Sequence, residues 1–356
     1  MIILGIETSC DETACAVLKK EGNRIQILSN IVASSALLQA KFGGVIPEQA
    51  AREQIKSIIP AVKTAIDGSG IKISDIDAIA VTYGPGLIGS LLVGTETAKT
   101  LAFLWNKPLV PVNHLLGHFY ANWIQKPFTI VNSQLTDSCS QKQTAKSNLP
   151  KFPCIGLLVS GGHTDLVLFK NHGKYKYLGG TRDDASGECF DKCARLLKLP
   201  YPGGPAIAEL AKSGNPKTFN LPRPMINSKD FDFSFSGLKT AVSNLIKEKG
   251  SLKPNELANL AASIEEAIID VLITKTLLAT QTYKANQIII AGGVAANQSL
   301  IRNLKLKIGS LKSKTKLFVP PPKLCTDNAV MIAAAAFFNY QPINPFTLQA
   351  NPSLAL

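Results

Sequence analysis

"IILGIETSCDETACAVL", residues 2–18, and "CIGLLVSGGHTDLVLF", residues 154–169, share one layout: an apolar run, a short polar turn, and a second apolar run. Short apolar runs bounded by turn residues read as strands, so each stretch suggests a β-hairpin. The first hairpin has acids at its tip, in "ETSCDET", and the second has glycines, in "SGGHTD". The pair is an internal repeat, and it suggests two lobes built on a common plan.

Beyond the hairpins, apolar runs alternate with helical patterns, as in α/β proteins. Further strands are expected at "DAIAVTY" (77–83) and "QIIIAGG" (287–293). Helices are expected at "TETAKTLAFLW" (95–105), "GECFDKCARLLKL" (187–199), "SIEEAIIDVLITKTLLATQTY" (263–283) and "AVMIAAAAFFNY" (329–340). A chain of 356 residues exceeds what one hydrophobic core usually organises, so two domains are expected. The division expected is an N-terminal lobe over residues 1–125, with a helix over about 329–356 packing back on it, and a C-terminal lobe over 151–328. Residues 126–150, rich in Ser, Thr, Gln, Asn and Lys and without an apolar period, read as a solvated loop between them.

With 46% hydrophobic and 18% charged residues, the composition is that of a globular protein. No run approaches the ~18 apolar residues of a membrane span. The start lacks a basic segment and reaches Glu7 and Asp11 too early for a secretory signal, so a cytoplasmic location is expected. Seven cysteines, an odd number with no C-x-x-C pair, agree with that. Cys189 and Cys193 have the spacing of helical metal ligands, but within "ECFDKCARLL" they read as buried small hydrophobes. Lysine and arginine outnumber acids 38 to 25, a net charge of +13, and such an excess favours a polyanionic partner, most often nucleic acid.

Two of the four histidines lie four residues apart in "PVNHLLGHFYANW", residues 111–123. Asn113 can cap a helix starting at His114, and the i, i+4 spacing then places both imidazoles on one face. Such a pair binds a divalent ion if a third ligand arrives from elsewhere; the alternative is two hydrogen-bonded structural histidines. The zinc-protease pattern H-E-x-x-H is absent, because Leu115 stands where its general base would be. A second constellation is glycine-rich: "VSGGHTD" follows an apolar run, and "YPGGPAI" and "AGGVAAN" each precede a helix, so that backbone amides and a helix N-terminus suit a phosphate or nucleotide. Each loop alone is also ordinary turn chemistry.

The motifs "GIETSCDETA", "FGGVIPEQAAREQ", "GPGLIGSLLVG", "NHLLGH", "LLVSGGHTDL", "DDASGECFDKCARLL", "YPGGP", "DFSFSGLKT", "AGGVAAN" and "CTDNAVMIA" follow one another along the chain. In that order the sequence resembles the TsaD family of bacterial tRNA adenosine threonylcarbamoyltransferases, once described as glycoproteases. The resemblance covers nearly the whole chain, apart from the polar stretch around 130–150 and the last residues. It implies a two-lobed α/β fold of the actin, Hsp70 and sugar-kinase type with a duplicated ribonuclease-H-like core. It also implies one divalent metal per subunit, iron by family precedent with zinc compatible, held by His114, His118 and Asp327. Asp327 otherwise suits an N-cap of the following helix, and the two uses are compatible.

The family's substrate contacts map to Leu158, Val159, Ser160, Gly161, Gly162, Asp191, Gly204 and Asn297. The plain alternatives are a solvated helix acid for Asp191, a turn residue for Gly204 and a helix cap for Asn297. The implied substrates are threonylcarbamoyl-AMP and tRNA, and the implied partners are a TsaB-like paralogue and a TsaE-like ATPase, with no membrane. Asp11 and Glu12, at the first hairpin tip, are candidates to position the attacking amine or accept its proton; turn acids are the alternative. Arg52, Arg223 and Lys239 flank motifs and are candidate phosphate contacts or plain surface charge. A metal-dependent peptidase and a sugar-kinase or chaperone-like ATPase remain the competing functions, because fold alone does not separate them.

Overall fold

The computed structural model describes residues 1–35, 38–39, 44–124, 149–310 and 315–356. Most of the polar loop expected at 126–150 lies outside them. The chain divides into two compact units, Met1–Pro150 with Thr326–Leu356, and Lys151–Cys325.

Unit 1 is built on a five-stranded sheet of β1 (Ile2–Glu7), β2 (Glu12–Glu21), β3 (Arg24–Ser34), β4 (Ala78–Gly84) and β5 (Leu109–Asn113), in the order β3-β2-β1-β4-β5. The expected hairpin is β1 with β2, antiparallel from Ile2 opposite Lys19 to Glu7 opposite Ala14. β4 and β5 extend the sheet in parallel. Helices α1 (Pro47–Ser69) and α2 (Ile88–Leu104) cover one face, where Leu4, Ile6, Val17, Ile79 and Val81 meet Ile58, Val62 and Ala98. α3 (His114–Tyr120) follows β5 directly. With helices on both faces, β1 is apolar from Ile2 to Ile6 instead of alternating.

Unit 2 repeats the plan. Its strands β6 (Cys154–Val159), β7 (Thr164–Asn171), β8 (Lys174–Gly180), β9 (Gln287–Ala291) and β10 (Lys316–Phe318) are ordered β10-β9-β6-β7-β8. Reading β6 for β1, β7 for β2, β8 for β3, β9 for β4 and β10 for β5 reproduces unit 1, with the same antiparallel and parallel pairings. Its helices are α4 (Ser186–Leu196), α5 (Gly203–Ala211), α6 (Ser236–Lys249), α7 (Pro254–Thr282) and α8 (Gln298–Gly309). Cys189 and Cys193 are fully buried in its core, as expected of small hydrophobes.

The last helix, α9 (Ala329–Phe338), belongs to unit 1 and packs on β1 and α3. It corrects the expected helix over 329–356. Asn339 leaves the helical region at φ −128°, ψ 54°, and its side chain closes the end by donating to Ala335 O at 3.0 Å. Pro342, Pro345 and Pro352 then lack the donors a helix needs. The tail instead bonds to unit 1, Ile343 N–H to Leu109 O at 2.9 Å and Asn351 N–H to Tyr83 O at 2.7 Å.

α9 reaches β1 over Gly5. A Cβ there would stand 2.5 Å from the carbonyl oxygen of Ala329 and 3.1 Å from Ala333, both on the helix. Overpacking against backbone costs about 1–3 kcal/mol. Gly5→Ala is therefore expected to lower the urea midpoint of the purified protein by that amount of stability; an unchanged midpoint contradicts the packing of α9 on β1.

Candidate metal centre and glycine-loop site

Asn113 ends β5, and its Oδ1 accepts from Leu115 N–H at 2.8 Å and Leu116 N–H at 3.3 Å, so the helix begins at His114. That start places His114 and His118 on one face, ring centroids 4.7 Å apart and near-perpendicular at 80°. Asp327 arrives from the segment before α9. Its Oδ1 lies 3.1 Å from His118 Nε2 and 3.6 Å from His114 Nε2. Asp327 does not cap α9: Asn328 does, its side chain accepting from Met331 N–H at 3.0 Å. One ligand atom from each of His114, His118 and Asp327 falls within 4.8 Å of the others.

The residues present fit a divalent cation. Both ring nitrogens of His118 are buried without a hydrogen bond among the described residues, and buried polar atoms left so are rare unless an ion or water meets them. The approach of Nε2 to Asp327 is close, but it lacks hydrogen-bond geometry. Two imidazole nitrogens and one carboxylate oxygen form a donor set that zinc and iron both accept.

The surroundings are strongly acidic. Burial, then Asp327 and Asp11, push the Glu12 carboxyl up to about 9. Asp11 also hydrogen-bonds Glu12, and Glu12 lies within electrostatic reach of Asp327. Burial disfavours the His114 cation, yet Glu7 and Asp327 overcome it and raise that imidazole to about 9. Burial likewise opposes ionised Glu7, but the charge of His114 and its hydrogen bond hold the carboxyl below its ordinary range. Carboxylates that retain protons when crowded favour a cation that relieves the crowding. The hairpin tip is held by Gln54 on α1, whose Nε2 donates to Cys10 O at 3.1 Å and Glu12 O at 2.9 Å.

In unit 2 the glycine loops gather at the carboxyl ends of parallel β6 and β9. The β6–β7 turn is closed by Ser160 N–H donating to His163 O at 2.9 Å, and His163 N–H donating to Ser160 Oγ at 3.1 Å. Gly161 and Gly162 are exposed, with open space where a side chain would be. Leu158 and Val159 are wholly buried strand residues that hold the turn in place from beneath. Gly292, at φ +90°, lies against Val159 O and Ser160, where any side chain would collide. The start of α4 joins them through Gly187 N–H donating to Ser160 O at 3.2 Å.

Asp191 Oδ1 accepts from Gly203 N–H at 2.7 Å at the start of α5. Burial raises this carboxyl, partly offset by the amides of Gly203 and Gly204. Gly204 is open, its nearest neighbour the Cβ of Phe190 at 3.9 Å. Asn297 caps α8, Oδ1 accepting from Leu300 N–H at 2.9 Å, while Nδ2 donates to Glu265 Oε1 at 2.8 Å. The cap reading of Asn297 therefore holds, and it leaves one amide hydrogen and one lone pair for a ligand.

Sequence reasoning passed over Glu7, Gln54 and Glu265, each a polar side chain inside an otherwise apolar or helical run. Of the basic candidates, Arg223 is tied to Asp270 at 2.8 Å and Glu266 at 2.9 Å on α7. Arg52 pairs with Glu48 on the surface of α1, and Lys239 is partly exposed on α6.

The sequence matches the TsaD family, described as tRNA N6-adenosine threonylcarbamoyltransferase, over residues 26–334. It is 45% identical to the curated tRNA N6-adenosine threonylcarbamoyltransferase of Moorella thermoacetica, across 99% of this chain and 97% of that one. The protein of the same name from Thermomicrobium roseum is 48% identical across 95% of this chain and 92% of its own length. Among solved structures, HypF of T. kodakarensis superposes with a TM-score of 0.60 at 12% identity, over 95% of this chain and 47% of HypF, a likeness of fold. Duplicated sheets, a two-histidine and aspartate cluster, and close relatives along the full length lead to one assignment: the chain belongs to the TsaD family of tRNA N6-adenosine threonylcarbamoyltransferases.

Proposed function

We propose that the protein transfers a threonylcarbamoyl group from threonylcarbamoyl-AMP to the exocyclic amine of the adenosine 3′ of the anticodon, in tRNAs that read codons beginning with A. The observation that carries this reading is 45–48% identity to named threonylcarbamoyltransferases along nearly the whole chain. In the reaction the amine nitrogen attacks the carbamoyl carbon, the bond from that carbon to the phosphate oxygen breaks, and AMP leaves while the nitrogen loses a proton.

His114, His118 and Asp327 would hold one divalent ion, iron by family resemblance and zinc by equal chemical fit. When bound, it supplies Lewis acidity that polarises a carbonyl and neutralises charge on a leaving phosphate. Adenine's amine is a weak nucleophile because its lone pair is delocalised, so orientation carries much of the rate. Asp11 and Glu12, on the hairpin tip whose backbone Gln54 holds, would supply the base that takes the proton the amine releases, Glu12 only once a bound cation has displaced its own proton. In unit 2, the amides of Gly161 and Gly162, the carboxyl of Asp191, the open backbone at Gly204 and the amide of Asn297 would receive the adenylate. The peptidase alternative lacks a general base beside His114, where Leu115 stands, and a sugar kinase has no need of the histidine pair.

A net charge of +13 suits an anticodon stem-loop, whose phosphates need lysine and arginine, and whose target base must leave the stack. Partners of the TsaB and TsaE kinds belong to the same proposal, and the reaction takes place where tRNA is, in the cytoplasm. No helix among the described residues is long and apolar enough to cross a membrane.

His118→Ala is expected to remove the ion and abolish transfer, and unchanged metal content by elemental analysis contradicts the assignment of the triad. tRNA affinity is expected to fall steeply with salt, with a log–log slope of about −0.7 to −0.9 per phosphate neutralised. Salt-insensitive binding, or none at low salt with partner proteins present, counts against tRNA as substrate. Asn297→Ala should weaken adenylate binding by about tenfold or more, the loss of one or two buried hydrogen bonds, while metal content stays the same. Wild-type adenylate affinity in that variant would remove Asn297 from the nucleotide site.

A further inference from the structure

Glu7 ends β1 almost wholly buried, 1% exposed, yet the reaction proposed above makes no use of it. A carboxylate persists in such a place only when its oxygens are satisfied. Oε1 accepts from the Ser9 N–H at 2.6 Å. Oε2 accepts from the Thr82 hydroxyl and lies 3.1 Å from His114 Nδ1. An ionised carboxylate has no hydrogen to give, so the hydrogen shared with His114 sits on Nδ1. Ser9 Oγ, also 3.1 Å from Nδ1, is free to accept there as well. In the neutral ring the lone pair is then on Nε2, the nitrogen that faces Asp327 Oδ1 at 3.6 Å.

We infer that Glu7 is a positioning residue for the metal centre, fixing His114 as the Nδ1-protonated tautomer and aiming Nε2 at the ion. The inference rests on the metal reading of the triad and adds a residue to it. A carboxylate behind a ligating histidine fixes the ring's orientation and raises its basicity. Among the described residues His118 has no comparable support, since neither of its ring nitrogens is hydrogen-bonded to them. Control of tautomer at this centre therefore falls on Glu7.

Glu7→Gln separates positioning from mere structure. The Ser9 N–H can only donate, so the amide must turn its oxygen toward Ser9. Its NH2 group then faces Thr82 and His114. The Thr82 hydroxyl can rotate to accept, and His114 Nδ1 must also accept, which moves the ring proton to Nε2, where the ion should bind. Shape and hydrogen bonds are kept while the bonds to Thr82 and His114 reverse direction, and only the second reversal touches a metal ligand.

The experiment titrates metal-stripped wild-type and E7Q full-length protein with zinc against a chromophoric chelator, with thermal unfolding of both metal-free proteins alongside. It adds a 15N-histidine NMR spectrum of zinc-loaded wild type. The expected result is a zinc affinity about 10–100-fold lower in E7Q, with wild-type melting, and a wild-type spectrum with zinc on Nε2 of His114 and a proton on Nδ1. Equal zinc affinity in the two proteins overturns the inference, as does a wild-type spectrum with zinc on Nδ1. If E7Q does not fold, the wild-type spectrum decides alone. Wild-type protein that takes up no zinc refutes the metal reading itself, whereas zinc uptake unaffected by E7Q refutes only the role of Glu7.

Discussion

The close approach of α9 to β1 over Gly5 is the constraint on which the candidate metal centre depends. Because position 5 has no side chain, the carbonyl of Ala329 and the first turn of α9 settle directly on the strand that ends at Glu7. Asn328 caps that helix from outside, which leaves the preceding Asp327 side chain directed at α3. One residue from the far end of the sequence thereby reaches two histidines more than 200 positions earlier. Each part of the arrangement is local and ordinary, a bare strand position, a helix cap or an i, i+4 pair. Their coincidence at one place makes the site.

Electrostatics gives that place its character. Glu7, Glu12 and Asp327 act on one another and on His114, and without a counter-cation Glu12 and His114 keep protons that isolated side chains would release. Like charges that cannot separate raise one another's proton affinity, and a divalent ion relieves them more effectively than a proton does. Unit 2 uses the same sheet for a different purpose. Where the first hairpin carries acids, the second carries Gly161 and Gly162 with open space around them, a surface on which backbone amides can meet an anion. On the proposed function, the duplicated scaffold carries one tip suited to a cation and one suited to an anion.

The repeated hairpins were legible in the sequence because their apolar runs are dense and their turns are marked by polar residues and glycine. The start of α3 was legible as well, since Asn113 is a strong cap and the two histidines follow it at helical spacing. α1 was not, because Ile55 and Ile59 point outward among buried Ala50, Ile58 and Val62, and Pro60 interrupts the pattern. The end of α9 is obscure in the sequence for a related reason: an alanine-rich run carries no stop signal until Asn339, and the prolines that exclude a helix come only after it. Glu7 and Glu265 were invisible for a different cause. Their partners, His114 and Asn297, lie 107 and 32 residues away, and nothing local to either acid announces the pairing. The assignment of ligands and substrate contacts came from resemblance. Geometry distinguishes among these residues: Leu158 and Val159 are wholly buried, whereas Gly161 and Gly162 are exposed.

The most direct test of the account is a reconstituted reaction. Purified protein, with partner proteins and a divalent metal, is incubated with threonylcarbamoyl-AMP and unmodified tRNA, and the nucleosides are analysed by mass spectrometry beside parallel assays of casein cleavage and sugar phosphorylation. The account predicts threonylcarbamoyladenosine and AMP in equal amounts, dependent on the metal, with casein and sugar untouched. Unmodified tRNA together with cleaved casein or phosphorylated sugar would contradict it.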